Sequence, residues 1–124
     1  MLDHISIGVR DVALARRFYD AVFAPLGYRV LHEGDGYAGY GAEHPGFWLN
    51  TAERPVPADM ANGLHISLRA PSRAAVDAFH AAALAAGGTD NGKPGPRAEY
   101  GATYYAAFVI DPSGYRIEAH TEAG

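Results

Sequence analysis

The chain has 124 residues, enough for one domain with a substantial core or for two small modules that share one. It contains no cysteine, which excludes disulfides, thiolate metal sites and cysteine nucleophiles, so any metal must be held by His, Asp, Glu or Tyr. A net charge of −4, with Lys93 as the single lysine, leaves no basic stripe for a phosphate backbone, and nucleic acid is excluded as an expected partner. No run of about 18 apolar residues and no signal-like N-terminus occurs, so a cytoplasmic location without membrane contact is expected.

The first element lies in DHISIGVRD. Ile5 and Ile7 alternate with His4 and Ser6, which predicts a strand with its isoleucines on a core and its histidine on the other face. Asp11 is a good helix N-cap, Leu14, Phe18 and Val22 recur every four residues, and Pro25-Leu26-Gly27 stops the helix. YRVLHE, GYAGYG and GFWLNT then read as antiparallel strands. GDGYAGYG has weak GxGxxG spacing, but no helix follows it, so a hairpin turn is expected rather than a dinucleotide site. The segment from Ala52 to Asn62, with Pro55 and Pro57, reads as a linker.

LHISLRAPS begins the sequence of elements again. An offset of 61 places His4 on His65, Ile5 on Ile66, Ser6 on Ser67, Asp11 on Ser72, Phe18 on Phe79 and Gly27 on Gly88. Val76, Phe79 and Ala83 give the second helix an apolar stripe, and Gly87-Gly88 ends it. TDNGKPGPRAEYGA is expected to be a loop over the site, followed by strands in TYYAAFVID and GYRIEAH. Aligning Pro45–Asn50 with Ser113–Glu118 requires an offset of 68, so seven surplus residues are assigned to that loop. The predicted fold is α+β. Two tandem β-α-β-β-β modules, at about residues 1–51 and 63–124 with linker 52–62, form a curved mixed sheet around a concave cleft, helices outside.

Alternation in the last strand sends Tyr115, Ile117 and Ala119 towards the helices and Arg116, Glu118 and His120 away from them. His4 and His65 share that outer face, so two imidazoles and a carboxylate are predicted to converge in the cleft. These are good donors for a borderline divalent ion such as Fe, Mn, Ni or Zn, and three of them leave open positions. Such an ion polarises carbonyls, lowers the pKa of a bound hydroxyl or binds oxygen.

The paired modules, the histidine opening each, the closing DPSGYRIEAH and the nearby YYAAF resemble the vicinal oxygen chelate superfamily over essentially the whole chain. That group includes glyoxalase I, extradiol dioxygenases, methylmalonyl-CoA epimerase, and fosfomycin and bleomycin resistance proteins. The resemblance implies metal ligands at His4, His65 and Glu118. It places a fourth, acidic ligand at or near Asn50, where an amide is a poorer ligand and cannot act as a carboxylate base. A three-ligand site follows as the expectation. The implied function is a metal-dependent lyase, isomerase or ring-cleaving dioxygenase that chelates a small substrate through adjacent oxygens. The alternative is a non-catalytic drug- or toxin-sequestering protein of the bleomycin-resistance type. A homodimer is also implied.

Glu118 and Tyr105 are the expected catalytic residues, with Tyr100 and Tyr104 as the other candidates for a tyrosine role. Trp48, Asn50, Arg69, Tyr104 and Phe108 are expected to contact substrate, since small-ligand clefts are mostly apolar with a few polar groups. His120 is expected at the rim, and His32, His44 and His80 on the surface.

Overall fold

The computed structural model describes residues 1–57 and 59–124; residue 58, in the linker, lies outside the described residues. Strand β1 (Ile5–Val9) leads into helix α1 (Val12–Phe23) and a short 3₁₀ turn, Ala24–Leu26. Strands β2 (Arg29–Gly34), β3 (Tyr37–Gly41) and β4 (Pro45–Thr51) complete the first module. The second repeats the order as β5 (His65–Arg69), α2 (Arg73–Ala85), β6 (Thr89–Pro96), β7 (Tyr105–Ile110) and β8 (Arg116–Thr121). Both predicted caps form, since Asp11 accepts from the Leu14 N–H at 3.1 Å and Ser72 from the Ala75 N–H at 3.1 Å.

Hydrogen bonding divides the strands into two four-stranded mixed sheets, ordered β1-β4-β3-β2 and β5-β8-β7-β6, in which only β1–β4 and β5–β8 are parallel. The first strand of each module is therefore an edge strand. Its free edge is met by a tyrosine from the other module: the Tyr115 hydroxyl donates to the Gly8 carbonyl at 2.7 Å, and the Tyr28 hydroxyl to the Arg69 carbonyl at 2.9 Å. Gly8 and Arg69 are themselves related by the 61-residue offset, so the repeat extends to how its edges are covered.

One core serves both modules. Phe18, Tyr19, Val22 and Phe23 of α1 and Val76, Phe79 and Ala83 of α2 are buried with Leu49, Val109 and Ile117 of the sheets. Each fully buried side chain of this kind stabilises the fold by about 1.5–3 kcal/mol. Leu14 departs from the expected stripe, being 58% exposed. At 100° per residue it lies about 120° from the centre of the buried face formed by Val12, Phe18, Tyr19, Val22 and Phe23.

Two further expectations change. Thr89–Pro96 is a strand rather than a loop, so the second module has its full complement of three strands after the helix. Its glycines and prolines are tolerated because β6 is an edge strand paired only with β7, with register shifts on both sides of Gly92. His80 is buried rather than superficial, with Nε2 2.9 Å from Asp90 Oδ1, and ties α2 to β6.

Candidate functional site

Parallel pairing of β5 with β8 sets Ser67 opposite Glu118 and Arg69 opposite His120. The pleat then gathers polar side chains on the face turned away from the helices. Glu118 is only 2% exposed and has both carboxylate oxygens engaged. Its Oε1 is 2.9 Å from His65 Nε2, and its Oε2 accepts from the Tyr104 hydroxyl at 2.6 Å. A carboxylate this deeply buried requires such partners, because desolvation without them is costly.

Around that pair the face is closely built. The His120 ring stacks on Tyr104 with centroids 4.6 Å apart and planes 10° apart, and its Nδ1 is 3.3 Å from Ser67 Oγ. Phe108 of β7, directly opposite Glu118 in register, lies 5.9 Å from the His65 ring. Burial, followed by the bond to Glu118, pushes the Tyr104 hydroxyl up to about 12, so it remains a proton donor through neutral pH.

His65, Glu118, Tyr104 and Phe108 are thus brought together on one face. His4 is not. It precedes β1, its side chain is half exposed, and its Nδ1 is 2.7 Å from Asp3, which lies 3.3 Å from His44. The two histidines bond to Asp3 and hold its carboxyl below the usual carboxylate range. Among the described residues no group of three His, Asp or Glu side chains is arranged to hold a metal ion. His4 and His65 do both line a groove of about 800 Å³ at the module interface, which has Phe23, Tyr28 and Phe47 among its walls, and Arg69 borders it.

Tyr105 lies on the opposite face from Glu118. Its hydroxyl donates to Asp77 Oδ1 of α2 at 2.7 Å, and the Arg73 guanidinium sits 4.9 Å from its ring. The strand alternation that sends Phe108 outward sends Tyr105 to the helix layer, leaving Tyr104 as the tyrosine at the site. Tyr100 is exposed and packs on Tyr104 at 5.3 Å.

Register also corrects the counterpart of Glu118. Ser6 pairs with Trp48 as Ser67 pairs with Glu118, so Trp48 occupies the equivalent position and Asn50 corresponds to His120. The two offsets, 61 for Ser6–Ser67 and 70 for Trp48–Glu118, put the surplus at nine residues rather than seven. Trp48 lies flat over Gly39, where a Cβ would come within 2.7 Å of the indole. His32 stacks on it at 6.0 Å and 16°, and Tyr37 flanks it at 6.4 Å, so His32 is part of an aromatic wall rather than an isolated surface residue. His44 is exposed, as expected.

His120 was placed on this face in sequence and expected at its rim, whereas Ser67 and Arg97 were not singled out as parts of it. The alternation that selected His65 and Glu118 equally selects Ser67 and His120. Arg97, whose Cζ is 5.3 Å from the Phe108 ring, carried no such signal because it follows a strand hidden by its glycines and prolines.

The sequence model of the Glyoxalase/Bleomycin resistance protein/Dioxygenase superfamily matches residues 1–119. No curated protein matches the chain. Among solved structures, a glyoxalase/bleomycin resistance protein from Albidiferax ferrireducens T118 is 32% identical, with 97% of each chain covered and a TM-score of 0.83. The fosfomycin resistance protein FosX from Mesorhizobium loti shares the fold at 18% identity, with a TM-score of 0.70 over 98% of this chain and 91% of that one. A glyoxalase-related enzyme from Fulvimarina pelagi does so at 17% identity, with a TM-score of 0.71 over 97% of this chain and 86% of that one. A match across nearly the whole chain, on two modules arranged in the same way, makes this protein a member of the Glyoxalase/Bleomycin resistance protein/Dioxygenase superfamily.

Proposed function

We propose that the protein is a metal-dependent enzyme acting on a small organic substrate bound through two adjacent oxygens, with His65 and Glu118 holding one divalent ion. The observation that carries this reading is the 2.9 Å separation of His65 Nε2 and Glu118 Oε1. Two donors each about 2.1 Å from an ion and at about a right angle stand about 3.0 Å apart, so the pair suits neighbouring positions of one coordination sphere. Among the described residues His4 does not group with the pair as a metal site within one chain, and we assign the third position to His4 of the partner subunit in a homodimer. When bound, the ion would supply Lewis-acid stabilisation of negative charge on substrate oxygens.

The chain's own residues support that chemistry. Tyr104 donates to Glu118 Oε2 and fixes the carboxylate, while the stacked His120 limits rotation of Tyr104. Phe108 packs beside the His65 ring, which stays 41% exposed and so open to an incoming ligand, while Glu118 is buried beneath it. Tyr104 keeps its proton at neutral pH and spends it on Glu118, so its part is to position the carboxylate.

Metal content tests the proposal on protein purified without a histidine tag. Wild type should hold one divalent ion per site, and His4→Ala and His65→Ala should each lose it. Co-expressing these two variants should restore roughly a quarter of the sites, because random pairing makes half the dimers mixed and each mixed dimer has one intact site. No bound ion in wild type under any loading condition refutes the metal reading; loss in both variants without restoration refutes sharing between subunits.

The wall of Trp48, His32 and Tyr37 favours a second reading, a protein that sequesters an aromatic drug or toxin without turnover. Saturable binding insensitive to chelator, with no conversion of ligand, would select it over the enzyme.

A further inference from the structure

Strand β6 and the residue after it are wound around one guanidinium. Arg97 donates through Nη1 to the carbonyls of Gly95 at 2.9 Å and Pro96 at 3.3 Å, and through Nη2 to the carbonyl of Lys93 at 2.7 Å. A Cβ at Gly92 would come within 2.9 Å of Phe108 and 3.4 Å of Arg97 Nη2, and one at Gly95 within 3.3 Å of Nη1, so the two glycines give the side chain its room. The guanidinium lies over Phe108, which is the register partner of Glu118 and neighbours His65.

We propose that Arg97 is the specificity-determining residue of this site and that it selects substrates bearing a carboxylate or similar anionic group beside their chelating oxygens. The inference rests on the metal-dependent reading above and names the substrate class for the same site.

Three features carry it. The cation is not neutralised, because its partners are carbonyls and no carboxylate pairs with it among the described residues. Glu118, the carboxylate that strand pairing places on this face, is committed to His65 and Tyr104. Of the five N–H donors of a guanidinium, the three recorded bonds leave two, enough for a forked contact to an oxyanion. Finally, the carbonyls hold the side chain in place before any ligand arrives, so little further rotamer entropy is lost on binding. A chain of net charge −4 thereby presents a fixed positive group on the face that carries the His65–Glu118 pair.

Two ligands with the same chelating head test the idea: 3,4-dihydroxybenzoate and 4-methylcatechol, which differ in the carboxylate. Calorimetric titrations are run on the whole 124-residue chain, metal-free and loaded with Mn²⁺, for wild type, Arg97→Gln and Arg97→Lys. Wild type should prefer the carboxylate ligand by roughly tenfold, the strength of a charge-assisted hydrogen bond. Arg97→Gln should abolish the preference while leaving 4-methylcatechol affinity within about twofold, and Arg97→Lys should keep part of it. Equal affinities in wild type, a preference that survives in Arg97→Gln, or binding of neither ligand in either form overturns the inference. A role confined to holding β6 together would weaken both ligands alike and so also counts against it. A carboxylate preference that follows Arg97 while Mn²⁺ has no effect on either ligand sustains the anion contact and refutes the chelation reading instead.

Discussion

Replacing Tyr104 by Phe removes one hydrogen bond from a carboxylate that water can scarcely reach. Glu118 is 2% exposed, so the oxygen released by the substitution is not readily resolvated, and a bond to a charged group is worth about 1.5–3 kcal/mol. We expect about 2 kcal/mol lost at pH 8, which at this chain length lowers Tm by about 6–10 °C. The pH dependence supplies a second, independent sign. The Tyr104 hydroxyl is raised from 10.0 to about 12 in the fold, so its contribution is complete below pH 10 and is lost as pH rises through 12. Two units correspond to about 2.7 kcal/mol, which partial solvent contact reduces to roughly 1–2 kcal/mol. Urea denaturation of wild type and Tyr104→Phe at pH 8, 10 and 11.5 should show a gap that narrows with pH. Comparing the two proteins cancels the other buried tyrosines, which titrate in both. A gap below 0.5 kcal/mol at pH 8, or one that does not change up to pH 11.5, would refute the argument that Tyr104 and Glu118 are energetically coupled.

Phe18→Ala should cost about 3–5 kcal/mol by urea denaturation, whereas Leu14→Ser, one turn earlier on the same helix, should stay within about 0.5 kcal/mol; similar losses would contradict the assigned core face. Gly39→Val should drive the Trp48 indole out of its stack with His32, visible as a red shift in the emission of the only tryptophan; an unchanged spectrum means the strand yields instead. His80→Ala should free β6 from α2 and speed amide exchange at Gly92, whose N–H bonds Asp90. The His80 bond is the leading reason that Asp90 sits below its ordinary 3.8, so its contribution exists above that pH and is lost as pH falls through the lower value. The stability gap between wild type and His80→Ala should therefore close in acid, and a gap that widens there would refute the pairing.

The sequence carried the repeat, the two helices with their caps at Asp11 and Ser72, and the face shared by His65 and Glu118. These features are local: a cap needs three residues, and alternation needs four or five, so each can be read without knowing what packs against it. Three conclusions needed the tertiary structure. Tyr104 and Tyr105 are adjacent and chemically alike, and only the phase of β7 against the helices sends one to Glu118 and the other to Asp77. The counterpart of Glu118 is Trp48 rather than Asn50, because inter-strand register is set by pairing and a gap moved by two residues leaves the same apolar pattern intact. His4 repeats His65 in sequence without joining His65 and Glu118 in a ligating group among the described residues, since a repeat specifies equivalent places in two modules, and the distance between those places depends on how the modules pack.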